Sequence, residues 1–201
     1  MTAIRSICVY CGSSPVTDPT FISTARAFGK IMAENQVGLV YGGGSHGLMG
    51  ALAASVADHG GKVIGVIPEF LKAREIAFAG AHELIVTDTM HTRKQIMFDK
   101  ADAFVALPGG IGTLEELVEQ LTWSQLGRHK KPIALANING FWDPLCELLE
   151  HMKKNGFIHS ELSFELGVAN RIEDLLPLLQ VAATPKDEEE LEGIPKVIEK
   201  M

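Results

Sequence analysis

A chain of 201 residues, 46% hydrophobic and 21% charged, can bury one full α/β core and has the balance of an ordinary globular protein. Its formal charge of −7, from 25 acidic against 18 basic side chains, argues against nucleic acid or an anionic membrane as the main partner. No segment is long and apolar enough to span a bilayer, and Met1 to Ile7 leads into a strand without the layout of a signal peptide, which predicts a cytoplasmic protein.

Strand, glycine turn and helix repeat along the chain. Ile4 to Tyr10 reads as a first strand. Gly12-Ser13-Ser14-Pro15 turns into a helix from about Asp18 to Asn35, with Ala25, Phe28, Ile31 and Met32 on its apolar face. Gly38 to Tyr41 is a second strand, Gly42 to Gly47 its turn, and Leu48 to His59 the helix that follows. Lys62 to Ile67 is a third strand closed by Pro68, and Glu69 to Ala81 an irregular crossover. Glu83 to Val86 is a fourth strand before a helix from about Met90 to Lys100. Ala103 to Leu107 is a fifth, with Leu117, Val118 and Leu121 marking the next helix. Pro132 to Ala136 and Leu166 to Ala169 are further strands; Trp142 to Asn155 and Arg171 to Gln180 are further helices. Residues 184–201, centred on Lys186-Asp187-Glu188-Glu189-Glu190, read as a charged tail beyond a domain of residues 1–183.

Continuously apolar strands alternating with helices predict a single doubly wound, Rossmann-like α/β domain: a parallel sheet with helices on both faces. Such folds bind ligands outside the carboxyl ends of the strands. The loops with chemistry in them all fall there: Gly12-Ser13-Ser14, Gly42 to Gly47, Thr87 to Lys94 and Pro108 to Thr113.

Pro108-Gly-Gly-Ile-Gly-Thr-Leu-Glu-Glu116 is the most informative of these. Its glycines leave backbone N–H groups bare where a helix begins, and the positive end of the helix dipole lies there too, which suits an anion such as phosphate. Glu116 follows one turn in. Thr113-x-x-Glu116 is equally a capping box, in which the threonine caps the helix and the glutamate reaches back to it. Glu115 diverges from Glu116 on the helix and is expected to face solvent.

Gly42-x-Gly44-x-x-Gly47 matches the dinucleotide fingerprint, but in the second βα unit instead of the first. It is open to three readings: an NAD-type site, a loop facing a smaller nucleotide, or a tight structural turn. Arg93 and Lys94 sit early in a helix, where bases oppose the dipole. A bound phosphate or ribose would account for them, and so would a surface pair with a nearby acid. Cys8-x-x-Cys11 has redox or zinc spacing, but residues three apart on a strand face opposite ways, so two ordinary cysteines are expected. Met97, Phe98, Trp123 and Leu126 could line a base pocket or build core and subunit interface.

Three stretches together, Tyr41-Gly-Gly-Gly-Ser-His-Gly47-Leu-Met-Gly50, Met90-His-Thr-Arg93-Lys94 and Pro108 to Glu116, resemble the Lonely Guy (LOG) family. These are cytokinin riboside 5′-monophosphate phosphoribohydrolases, whose hallmark Pro-Gly-Gly-x-Gly-Thr-x-x-Glu is matched at every fixed position. The resemblance runs from Ile4 to about Leu179. It implies cleavage of the N-glycosidic bond of an N6-modified adenosine monophosphate to free base and ribose 5-phosphate. It marks Arg93 and Glu116 as the catalytic pair and places Gly109, Gly110, Gly112 and Thr113 on the 5′-phosphate. Lys94, Gly43, Gly44 and Ser13 join the candidates for phosphate and ribose contact. The resemblance also implies a homodimer with sites at or near its interface, and requires no metal or organic cofactor. Family members often bear a lysine decarboxylase label, for which the sequence offers no pyridoxal-phosphate lysine. A non-catalytic nucleotide or cofactor carrier on the same fold, and more remotely a dinucleotide-dependent oxidoreductase, are the alternatives.

Overall fold

Ile7, Val9 and Cys11 belong to one hydrophobic core and Cys8 and Tyr10 to another, on opposite faces of the first strand. The computed structural model describes residues 4–15, 18–72, 77–158 and 165–184. The strands are β1 (Ser6–Tyr10), β2 (Gly38–Tyr41), β3 (Val63–Pro68), β4 (Glu83–Thr87), β5 (Ala103–Ala106), β6 (Ile133–Ala136) and β7 (Leu166–Ala169). The helices are α1 (Pro19–Glu34), α2 (Gly47–Asp58), the single turn α3 (Glu69–Lys72), α4 (Met90–Asp99), α5 (Ile111–Gln125), α6 (Asp143–Lys154) and α7 (Leu175–Ala182).

All strand pairs are parallel, in the order β4-β3-β2-β1-β5-β6-β7. Burial of every residue in β3, β5 and β6 explains why these segments read as unbroken apolar runs. One core packs α1, α2 and α7 against the sheet, through residues such as Phe28, Leu52 and Leu175. The other packs α4, α5 and α6, through Met97, Leu117 and Leu149 among others.

The chain winds outward from β1 in one direction and from β5 in the other. Their carboxyl ends therefore flank the crevice where strand order reverses, the place such sheets bind ligands. The loops leaving β1 and β5 touch there: the Gly12 N–H donates to the Pro108 carbonyl at 3.1 Å.

Element boundaries differ from the sequence expectation by a residue or two at most sites and by more at three, one being α7, which starts at Leu175 after a 3-10 turn and not at Arg171. The crossover contains α3 and an antiparallel bridge between Gly44 and Ala77, with residues 73–76 outside the described set. Helix α5 starts at Ile111 with Gly110 as its N-cap, so Thr113 is the third helical residue and not the cap. Of the charged tail, residues 185–201 lie outside the described residues.

Candidate active site

Two helix N-termini meet at the crevice, and their hydrogen bonds differ. At α2 the Leu48 and Met49 N–H groups both donate to the Gly12 carbonyl, at 3.0 and 3.3 Å. Two of the free donors of that helix start are thus already used. At α5 the first turn bond runs from the Leu114 N–H to the Gly110 carbonyl at 3.0 Å. The N–H groups of Ile111, Gly112 and Thr113 find no acceptor among the described residues. Three unspent donors at the positive end of a 15-residue helix form a receptor for an anion.

The glycines at this end have separate causes. A β-carbon on Gly109 would collide with the Thr113 side chain and with the Gly12 nitrogen, so the fold itself requires glycine there. Gly110 and Gly112 would meet nothing within 4 Å. Packing does not demand them; their bareness leaves the donors open to whatever lies in the cavity.

That cavity, about 640 Å³, is lined by Ser13, Arg93, Gly109, Gly110, Gly112, Thr113 and Glu116 of the predicted set. Arg93 comes from α4, whose start is capped by the Thr89 hydroxyl accepting from the Thr92 N–H. Its Nε donates to the Val66 carbonyl at 3.0 Å, and its Nη1 to Glu116 Oε1 at 2.5 Å. Both side chains are buried, 6% and 7% exposed. Burial pushes the Glu116 carboxyl above its ordinary value, and the charge and hydrogen bond of Arg93 resist that push. With Thr113 off the cap and Glu116 paired to another helix, the capping-box reading of these residues does not hold.

Lys94, Gly43 and Gly44 lie elsewhere. The Lys94 ammonium donates to Glu115 Oε1 at 2.6 Å and contacts Glu119 Oε1 at 2.9 Å; Glu115 lines the cavity but Lys94 does not. Glu115 is exposed, as expected, but carries this cation with it. The Gly43 to Gly47 backbone makes close contacts of its own. Gly43 has φ of +83° and accepts from the Phe78 N–H at 3.1 Å, Gly44 forms the bridge to Ala77, and Gly47, φ +58°, abuts the Ser13–Ser14 backbone. Two of α2's donors are spent on Gly12, which leaves that helix start fewer N–H groups for a phosphate than α5 has. Met97 is core and Phe98 meets Trp123 edge to face at 5.1 Å, whereas Leu126 is exposed; none of the four lines the cavity. His91 is exposed and lies outside the cavity wall as well.

Burial raises the thiol pKa of both Cys8 and Cys11, so neither is poised as a nucleophile. A larger groove, about 910 Å³, runs between α1 and α2 beside Arg26 and Lys30 and holds neither Arg93 nor Glu116.

Sequence reading missed part of the cavity lining. Phe21 and Phe141, which meet edge to face at 5.8 Å, belong to it, as do Asp18, Met49, Leu71 and Met90. Asp18 was legible only as the start of a helix, and it is that helix's cap: its carboxylate accepts from the Thr20 N–H at 2.8 Å. No spacing rule pairs residues 120 apart such as Phe21 and Phe141.

Residues 49–179 match the family whose model is described as possible lysine decarboxylase. A cytokinin riboside 5′-monophosphate phosphoribohydrolase of Arabidopsis thaliana is 45% identical over 176 residues, covering 88% of this chain and 83% of that protein. One of Oryza sativa subsp. japonica is 49% identical over 154 residues, covering 77% of this chain and 64% of that protein. In fold the chain is similar to the molybdenum cofactor binding protein from Rippkaea orientalis, with a TM-score of 0.67 over 92% of this chain and all of that one (100%), at 22% identity. That last likeness is one of architecture alone.

Proposed function

The chain belongs to the LOG family of phosphoribohydrolases, and from that premise we propose that its cavity hydrolyses the N-glycosidic bond of an N6-modified adenosine 5′-monophosphate, or of AMP, to free base and ribose 5-phosphate. The observation that carries this reading is a buried Arg93–Glu116 pair beside a helix start with unspent N–H groups.

The 5′-phosphate sits on the N–H groups of Ile111, Gly112 and Thr113, with the Ser13 loop opposite. This anchor fixes the ribose, so phosphate binding helps orient the reacting carbon. As the C1′–N9 bond breaks, its electron pair leaves with the purine and positive charge spreads over C1′ and the ring oxygen, as in glycoside hydrolysis. The Glu116 carboxylate stabilises that cation and takes a proton from water as the water oxygen bonds to C1′. Arg93 keeps Glu116 ionised and aimed. The departing base gains a proton at the purine, and the sum is nucleotide plus water to base plus ribose 5-phosphate.

A decarboxylase working through a Schiff base needs a lysine in the cavity wall. Among the described residues none lines it, and Lys94 is held by two carboxylates. The residues present do not fit that description. The protein acts in the cytoplasm as a homodimer on this reading; the exposed apolar side chains of Val118 on α5 and Leu126 just past its end support a subunit contact.

Release of ribose 5-phosphate from AMP and from N6-isopentenyladenosine monophosphate tests the proposal. Glu116→Gln is expected to abolish release and keep nucleotide binding. Full activity in that variant would sink the mechanism, and tight binding without turnover in the unaltered protein would favour a carrier.

A further inference from the structure

Arg93 and Lys94 are consecutive on α4, yet they reach different carboxylates of α5. Arg93 goes inward to Glu116. Lys94 goes to Glu115 and Glu119, which stand one turn apart on α5, so a single ammonium spans that turn. The Lys94 side chain is 15% exposed and that of Glu119 20%, so water screens this contact less than an ordinary surface pair. Glu119 Oε2 is buried and has no hydrogen-bond partner among the described residues. The desolvation of that carboxylate is therefore offset chiefly through its other oxygen, by Lys94. Two cations in the early turns of α4 oppose that helix's own dipole; the three acids across from them on α5 supply the compensation.

We propose that Lys94 is a positioning residue: by tying α4 to Glu115 and Glu119 it sets the separation of the helices across which Arg93 and Glu116 meet. The proposal rests on the reading of Arg93 and Glu116 as the acting pair, and it replaces a direct role for Lys94 on the substrate phosphate. Burial draws the Lys94 ammonium down, while its hydrogen bonds to Glu115 and Glu119 more than restore it, so the strap is charged at neutral pH. The nearer of its two carboxylates is the immediate chain neighbour of Glu116, so a slackened strap is felt at the catalytic side chain first.

The test is ribose 5-phosphate release and AMP affinity in Lys94→Met, Lys94→Arg and Glu119→Gln. A small misplacement at the reacting centre predicts that Lys94→Met and Glu119→Gln lower kcat by about 10- to 100-fold. KM and AMP affinity stay within about threefold, because the loss falls on the transition state and not on ground-state binding. Lys94→Arg recovers most of the rate. Glu119→Gln is the discriminating variant, being nearly isosteric and leaving the lysine in place. A lysine that grips phosphate would be freed by it, so retained or raised activity in Glu119→Gln overturns the proposal. So does a tenfold or larger loss of AMP affinity in Lys94→Met. Absence of turnover in the unaltered protein would count against the phosphoribohydrolase reading instead, and the AMP affinity of Lys94→Met would still decide whether Lys94 holds phosphate.

Discussion

The Arg93 guanidinium occupies the space that a side chain on Gly42 would fill: a β-carbon there would lie 2.6 Å from Nη2. The same β-carbon would come 3.2 Å from Met49 Cε. A glycine on one loop thus sets where the cation of another element rests. Gly42→Ala should displace Arg93 from Glu116, costing about 1–3 kcal/mol of stability from overpacking and about 100-fold in kcat/KM through misalignment. Thermal denaturation and steady-state kinetics on the one variant measure both. An unchanged rate would mean that the Arg93 position is not critical.

Gly110 and Gly112 should behave in the opposite way. A methyl at either position meets open space, so Gly110→Ala and Gly112→Ala are expected to fold with stability within about 0.5 kcal/mol of the parent. Loss of one charge-assisted hydrogen bond to phosphate, about 1.5 kcal/mol, should raise KM for AMP about tenfold. Binding of adenosine, which lacks the phosphate, should not change. Equal weakening for adenosine and AMP would remove the phosphate from α5.

The raised pKa of Glu116 gives a pH signature. The carboxylate must be ionised to act, so kcat/KM should fall with acidification at a pH above the ordinary carboxylate range. Arg93→Met removes the charge that opposes burial and should move this acidic limb further up, along with a stability loss of about 3 kcal/mol from breaking a buried pair. Linkage works in the matching sense. A carboxyl whose folded pKa is raised contributes stability that is fully present below its unfolded pKa and is lost as pH rises through its folded pKa. Glu116→Gln should flatten that part of a plot of Tm against pH.

Thiol labelling separates the three cysteines. Cys8 and Cys11 are fully buried with raised pKa values, while Cys146 is partly accessible. Mass spectrometry after brief maleimide treatment should find label at Cys146 in the folded protein, and at Cys8 and Cys11 only after unfolding. Rapid labelling of Cys11 in the native protein would contradict its placement in the core.

The fold was legible because parallel strands buried on both faces leave unbroken apolar runs, as in Val63–Pro68 and Ala103–Ala106. The crevice was legible for a related reason: β1, β2, β3 and β5 end at or close to a glycine or proline, and ligands gather at such ends. Arg93 stood out because it opposes its own helix dipole, and Glu116 because it follows a bare glycine loop. Lys94 shares the Arg93 signal and yet lies elsewhere, since neighbours on a helix diverge by about 100° and a dipole argument does not say which way. The Gly42 loop stayed open to several readings because glycines in tight backbone contacts, as at Gly43 and Gly47, look the same in sequence as glycines kept bare for a ligand. Only the partners of the α2 N–H groups tell them apart. The Phe21–Phe141 wall had no local signal at all.

In the proposed mechanism the half of the nucleotide that α5 grips is the half that survives the reaction. There the donors of Ile111, Gly112 and Thr113 hold phosphate as well after hydrolysis as before it, whereas the purine loses its covalent tether the moment the bond breaks. Release should therefore be ordered, base first and sugar phosphate second. Accumulating ribose 5-phosphate should then compete with the substrate for its own anchor, so that removal of the sugar phosphate by other reactions would govern how long the site keeps turning over.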